Sequence, residues 1–392
     1  GFFMGALDGL KILDFSTLLP GPYATLLLAD LGAEVLKVSG RDKYDLVVHW
    51  PPEIEGSGTT AAAAWLGRNK KTIFLNLKKP SAVEAVKRLI LEYDILVEQF
   101  RPGVLAKLGL DYETLRGVNP RLIYCSLTGY GQTGPLSPRA GHDINYMSRS
   151  GVMASAGRKA TGPVLTNMQV ADVAVGSMNS VVGILAAVHQ RDVTGRGQYI
   201  DVAMLDGMVP FNSMDGACFL AGAPAPERES QMLNGGEVYD FYETSDGGYM
   251  SVGSLEPKFF ADLCRGLGRP EWADGRILKT DLPLVKETFR DIFRTKSRDE
   301  WTELFSHYDA CVEPVLTLAE AAADAHINAR GLVPDVPLPL AEGRTVRQLG
   351  CPIKLSDCPA AYRHAGYPEG WHTEAVLTGL GYTAEEIRDL SE

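Results

Sequence analysis

Short apolar runs alternate with longer amphipathic stretches through the first half of the chain. Lys11-Ile12-Leu13-Asp14-Phe15 predicts a strand, residues 22–31 a helix opening after Pro20-Gly21-Pro22, and residues 33–38 a second strand, with Gly32 as the helix stop. The alternation continues with a strand at 72–77, a helix at 81–92, a strand at 94–100, a helical stretch at 102–117 and a strand at 121–127. A long apolar helix at about 169–190 follows, then a turn at Gly195-Arg196-Gly197 and a strand at 198–204. Strands separated by helices of this length predict an α/β fold, with a doubly wound, mostly parallel sheet in a large domain over residues 4–222.

Beyond residue 222 the character changes. Ala223-Pro224-Ala225-Pro226 reads as a linker, and 239–245 and 249–253 form a hairpin pattern around Asp246-Gly247-Gly248. With the short helices that follow, residues 223–332 predict a smaller α+β domain, and 333–392 are expected to return to the first domain.

At 392 residues the chain is long enough for two cores. A net charge of -11 excludes the dominant basic face that nucleic-acid binding needs, so any anionic ligand must meet a local basic cluster. Cys125, Cys218, Cys264, Cys311, Cys351 and Cys358 are scattered and form no metal-ligand spacing, which points to no metal site and a reducing, cytoplasmic setting. Gly1-Phe2-Phe3 before Met4 reads as a cloning remnant with no signal-peptide pattern. Asp172 and Asn179 interrupt the long apolar run, so a buried helix is expected there and no membrane span.

Gly129-Tyr130-Gly131-Gln132-Thr133-Gly134 matches the dinucleotide-binding glycine pattern after a strand, but Pro135 and Pro138 block the helix that would receive a pyrophosphate. A flexible active-site loop is the better reading. Five basic residues, Arg68, Lys70, Lys71, Lys78 and Lys79, fall between Leu66 and Lys79 with no acidic one. With Arg41 and Arg101 after neighbouring strands, they could converge on a phosphate-rich ligand at the strand ends or simply be solvated charge.

The candidate chemistry lies in His142, Asp172 and Glu256, a neutral-pH base and two carboxylates among glycine-rich turns. A His and an Asp facing each other across a carbon acid could each remove or return its proton. Each residue also has a bland reading: a His bonded to a backbone carbonyl, an Asp in the first turn of a helix, and a Glu at a helix start before Pro257.

Ordered motifs span nearly the whole chain: Leu18-Leu19-Pro20-Gly21-Pro22, Arg68-Asn69-Lys70-Lys71, Phe100-Arg101-Pro102-Gly103, Gly141-His142-Asp143-Ile144-Asn145-Tyr146, Leu233-Asn234-Gly235-Gly236 and Gly253-Ser254-Leu255-Glu256-Pro257. Together they resemble the class III CoA-transferase/2-methylacyl-CoA racemase family, in its racemase branch. The resemblance implies the interlocked homodimer of the CoA-transferase III fold, an acyl-CoA thioester as substrate and no prosthetic group. It also implies that His142 and Asp172 are the two acid/base groups, with Glu256 near His142 and the peptide N–H of Asp143 holding the thioester oxygen. Arg41, Leu77, Lys78, Phe100, Arg101 and Lys71 would hold the nucleotide part of CoA, and Gly235 and Gly236 would form a substrate loop. The expected reaction is racemization of a 2-methylacyl-CoA through an enolate. The alternative is CoA transfer between acids through an Asp172 acyl anhydride. One departure is Val173-Ala174-Val175-Gly176, which replaces most of a glycine run that family racemases often carry.

Two-base transfer demands that the two proton states lie close in energy. Reference values of about 6.5 for His and about 3.9 for Asp favour imidazolium with carboxylate by roughly 3.5 kcal/mol. Burial of Asp172 would narrow that gap, whereas a helix N-terminus and an ionised Glu256 near the His would widen it.

Overall fold

The computed structural model describes residues 5–392, so the Gly1-Phe2-Phe3 expectation lies outside the described residues. The chain divides into two compact units: residues 5–150, 168–209 and 326–392, and residues 151–167 and 210–325. The smaller unit thus begins at residue 210, before the proline-containing linker, and takes in 151–167.

The large unit is a six-stranded parallel sheet. Its elements are β1 (Lys11–Asp14), α1 (Pro20–Asp30), β2 (Glu34–Ser39), β3 (Lys70–Phe74), α2 (Pro80–Leu89), β4 (Ile95–Glu98), β5 (Ile123–Thr128), α3 (Asp143–Arg149), α4 (Met178–Thr194) and β6 (Tyr199–Ala203). The order β3-β2-β1-β4-β5-β6 reverses direction between β1 and β4, and that switch leaves a crevice at the carboxyl ends of the strands. Ile12, Leu13, Val35, Leu36, Leu96 and Val97 are wholly buried, as strands covered on both faces require.

Three elements differ from the sequence expectation. β3 ends at Phe74 because the following residues leave the sheet, where the Asn76 N–H donates to the Leu390 carbonyl. The helical stretch at 102–117 splits into Val104–Lys107 and Tyr112–Val118, since Gly109 takes φ +73° and Asp111 caps a new helix through the Thr114 N–H. The long apolar helix opens as a π-helical segment, Val170–Ser177, before continuing as α4. The segment Val170–Thr194 is long and apolar enough to cross a membrane by length and composition, and 44% of its most apolar window is buried. Its Arg191 is buried and pairs with Asp94 at 3.1 Å.

In the smaller unit, β7 (Asp240–Glu243), β8 (Tyr249–Val252) and β9 (Val312–Pro314) form an antiparallel sheet, with the predicted hairpin between β7 and β8. Helices α5 (Pro257–Gly266) and α6 (Leu282–Phe293) cover it, burying Phe260, Leu263, Phe289 and Phe293. The last residues belong to the large unit: α7 (Thr373–Gly379) packs on β3, and α8 (Ala384–Ser391) packs on α2.

Candidate active site

His142 and Asp172 come within electrostatic reach of each other because two helix starts converge in the large unit. His142 sits in extended backbone at the cap of α3, where Asn145 Oδ1 accepts its N–H at 2.9 Å. Gly129 and Gly141 are required beside it, since a Cβ on either would come within 2.4 and 2.8 Å of the Tyr146 ring. Tyr146 in turn lies edge-on to Tyr130 at 5.2 Å, which fixes α3 against the loop after β5.

Asp172 lies in the first turn of the π-helical segment. Its carboxyl is pushed up to about 6, mainly by burial, with the neighbouring Asp143 carboxylate adding to the rise and His142 opposing it. Burial is the largest cause, so Asp172 holds its proton to a higher pH than an exposed carboxylate does. Asp143 is the first residue of α3, so its own N–H has no acceptor within the helix. The geometry places a carboxyl, an imidazole and an amide outside the helix ladder on adjoining turns.

At the switch between β1 and β4 lies a cavity of about 600 Å³. Phe15, Ser39, Leu75, Leu77, Gln99 and Phe100 line it, with the ammonium groups of Lys43, Lys78 and Lys107 and the carboxylates of Asp42 and Asp45 around them. Lys78 pairs with Asp42 at 3.0 Å, and the Lys43 ammonium stands 4.0 Å from the Phe100 ring centre. Of the predicted nucleotide ligands, Leu77, Lys78 and Phe100 line this space. Arg41 turns onto the Phe74 ring at 4.3 Å and the Ser391 carbonyl at 3.1 Å. Arg101 lines a neighbouring cavity of about 360 Å³, and Lys71 pairs with Glu34 at 2.7 Å.

The basic run from Arg68 to Lys79 does not converge on one ligand. Arg68 is buried against Asp30, Lys70 against Asp14 and Thr25, and Lys79 reaches Asp389, which leaves Lys78 at the cavity. Sequence reasoning missed Lys43 and Lys107. Lys43 stands among charged neighbours with no distinguishing pattern, but Lys107 ends the short helix that follows the Pro102-Gly103 turn, a spacing that could have revealed it.

In the smaller unit, Glu256 is exposed at the cap of α5. Its placement follows from Ser254, which donates to the Ala310 carbonyl, and from Gly253, whose N–H donates to the Cys311 carbonyl at 2.8 Å. Gly235 has φ +94°, and a Cβ on Gly236 would come within 2.5 Å of the Ser230 main chain, so this loop needs both glycines for its backbone alone. Lys286 donates to the Gly235 carbonyl and pairs with Asp240, which also receives Arg158. Among the described residues no group of three or more His, Cys, Asp or Glu side chains is placed to hold a metal ion.

Residues 7–373 match the profile of CoA-transferase family III. The chain is 36% identical over 389 residues to the alpha-methylacyl-CoA racemase of Homo sapiens, covering 98% of this chain and 96% of that protein. It is 34% identical over 343 residues to the succinyl-CoA:glutarate CoA-transferase of Homo sapiens, covering 85% and 77%. The crystal structure of a CAIB/BAIF family protein from Brucella suis superposes with a TM-score of 0.83 at 29% identity, covering 96% of this chain and all of that one.

Proposed function

We propose, from the premise that this chain belongs to CoA-transferase family III, that it racemizes a 2-methylacyl-CoA thioester by two-base proton transfer. The observation that carries the proposal is the Asp172 carboxyl, raised to about 6 beside His142. Raising that carboxyl narrows the gap between the two proton states that its ordinary value would leave, which favours service of either face of the α-carbon. In one direction Asp172 accepts the α-proton and imidazolium returns one from the opposite face. In the other direction the roles exchange.

The Asp143 N–H is the donor proposed for the enolate oxygen, a contribution of about 2.7–4 kcal/mol when such a donor is aimed correctly in a dry site. The 36% identity to a racemase over nearly the whole chain supports this reading. CoA transfer through an acyl anhydride on Asp172 is the second reading, favoured by the 34% identity to a CoA-transferase. His142 separates them, because the anhydride route needs only the carboxylate.

The test is incubation of one enantiomer of a 2-methylacyl-CoA in deuterated water with no acceptor acid. The expected result is racemization together with deuterium at the α-carbon. Acyl transfer to a free acid, with no deuterium uptake and an adduct on Asp172 that hydroxylamine traps, would replace the racemase with the transferase.

The nucleotide part of CoA is proposed to occupy the cavity at the β1–β4 switch, where Lys78 offers an exposed ammonium paired with Asp42. Lys78→Glu is expected to raise the Kd for CoA about tenfold or more without lowering Tm, since it removes a charge-assisted phosphate contact. Calorimetric titration with CoA checks this, and an unchanged Kd would remove the cavity from the proposal. We also propose a homodimer, in which exposed Val182 and Val193 of α4 and exposed Met214 and Leu220 of the smaller unit find cover. Sedimentation should then find no folded monomer on dilution.

A further inference from the structure

The main chain of Asp172 is gripped from both sides by side chains. Its N–H donates to Asp143 Oδ1 at 2.9 Å, and its carbonyl lies 3.1 Å from the hydroxyl of Ser177. Ser177 is fully buried, and the same hydroxyl stands 2.5 Å from the Pro20 carbonyl in the first turn of α1. One O–H is therefore shared between the turn that carries Asp172 and the helix packed against it. The five-residue spacing from Asp172 to Ser177 matches the wide turn, in which the Met178 N–H reaches back to the Val173 carbonyl. At the other end, an amide in the first turn of a helix has no internal acceptor, and Asp143 supplies one from the residue next to His142.

We propose that the Asp143 carboxylate and the Ser177 hydroxyl are positioning residues that clamp the Asp172 main chain and so hold its carboxyl at a fixed distance from His142. The inference rests on Asp172 being the reactive carboxylate, which the racemase and transferase readings share. Asp143 has a second effect through charge. Burial raises its own carboxyl while the amides of Asp172 and Ala171 hold it back, and its negative charge favours the proton on Asp172. The clamp therefore sets both where the Asp172 carboxyl stands and how tightly it keeps its proton.

Three variants separate these effects. Asp143→Ala removes the acceptor and the charge together, and Ser177→Ala removes the hydroxyl. Asp143→Asn keeps an oxygen for the Asp172 N–H and removes only the charge. A displacement on the order of an ångström costs about 10²-fold in rate, so Asp143→Ala is expected to lower kcat about 10²-fold with KM changed by less than about threefold. Ser177→Ala is expected to lower kcat about tenfold, again with KM nearly unchanged. Asp143→Asn is expected to move the Asp172 titration, followed by carbon NMR of labelled aspartate, below its parent midpoint, and the pH profile of kcat/KM should move with it. Unchanged kcat in both alanine variants, with an unchanged Asp172 midpoint in Asp143→Asn, would overturn the clamp even if Tm fell. The NMR titration needs no turnover. If the parent protein neither racemizes nor transfers acyl groups, the proposed function fails, and the clamp is then judged by whether Asp143→Ala and Ser177→Ala shift the labelled Asp172 carboxyl resonance and its midpoint beyond the change that Asp143→Asn makes through charge alone.

Discussion

Asp172→Asn is expected to abolish racemization, a loss of at least about 10³-fold, while making the protein more stable near pH 8. The two outcomes have one cause. The folded protein raises the Asp172 carboxyl from 3.8 to about 6, so ionising it costs more in the folded chain than in the unfolded one. The sign follows: stability is shed as pH rises through the interval between those values, and above it the folded protein carries the whole penalty. Asn carries none, and with allowance for the partial exposure of Asp172 the gain at pH 8 is about 1–2 kcal/mol, fading below pH about 4. Thermal melts of both proteins at acid and alkaline pH check the stability arm. For the chemical arm, each enantiomer is incubated in deuterated water. Asp172→Asn should leave exchange confined to the enantiomer served by His142, and His142→Ala should leave it confined to the other. Racemization that survives either substitution would end the two-base mechanism.

The parallel sheet was legible because β1, β2, β4 and β5 are mostly apolar runs and the helices between strands have the length a crossover needs. The strand order, and with it the switch between β1 and β4, needed coordinates. The extent of the smaller unit was less legible. Residues 151–167 carry no signal of where they pack, because their allegiance depends on distant partners, such as the Arg158 pairs with Glu229 and Asp240.

At the site, His142 and Asp172 stood out by residue type, but the balance between burial and helix dipole at Asp172 needed coordinates. Val170, Val173 and Val175 suggested an apolar setting, yet only the packing of the π-helical segment on α1 decides that desolvation dominates. The π turn itself has no sequence signature. Its cue, Ser177, is an ordinary serine until the structure places it against the Asp172 and Pro20 carbonyls.

The basic run shows the same limit, and it yields the second large effect: Arg68→Met is expected to destabilise the protein by about 3–5 kcal/mol. Arg68 is 1% exposed and Asp30 is 2% exposed. The guanidinium grips the carboxylate in a two-pronged pair at 3.0 and 2.6 Å, donates to the Leu349 carbonyl at 2.8 Å and to Gln348 at 3.2 Å, and stacks on the Tyr362 ring. One side chain thus pins the returning C-terminal segment to α1. Removing it leaves a buried carboxylate without its countercharge, with the Asn69 amide still donating to it at 3.0 Å, and that costs far more than the pair itself contributes. Arg68→Met combined with Asp30→Leu should therefore recover much of the loss in urea unfolding, and a double variant no better than the single one would show that the lost carbonyl contacts dominate instead. Lys78→Glu supplies the contrast, because Lys78 is exposed at the cavity while Arg68 is buried against Asp30 and does not line it. The folded fraction of Arg68→Met should bind CoA with a Kd near that of the parent, and weakened binding there would return Arg68 to the ligand site from which its burial removes it.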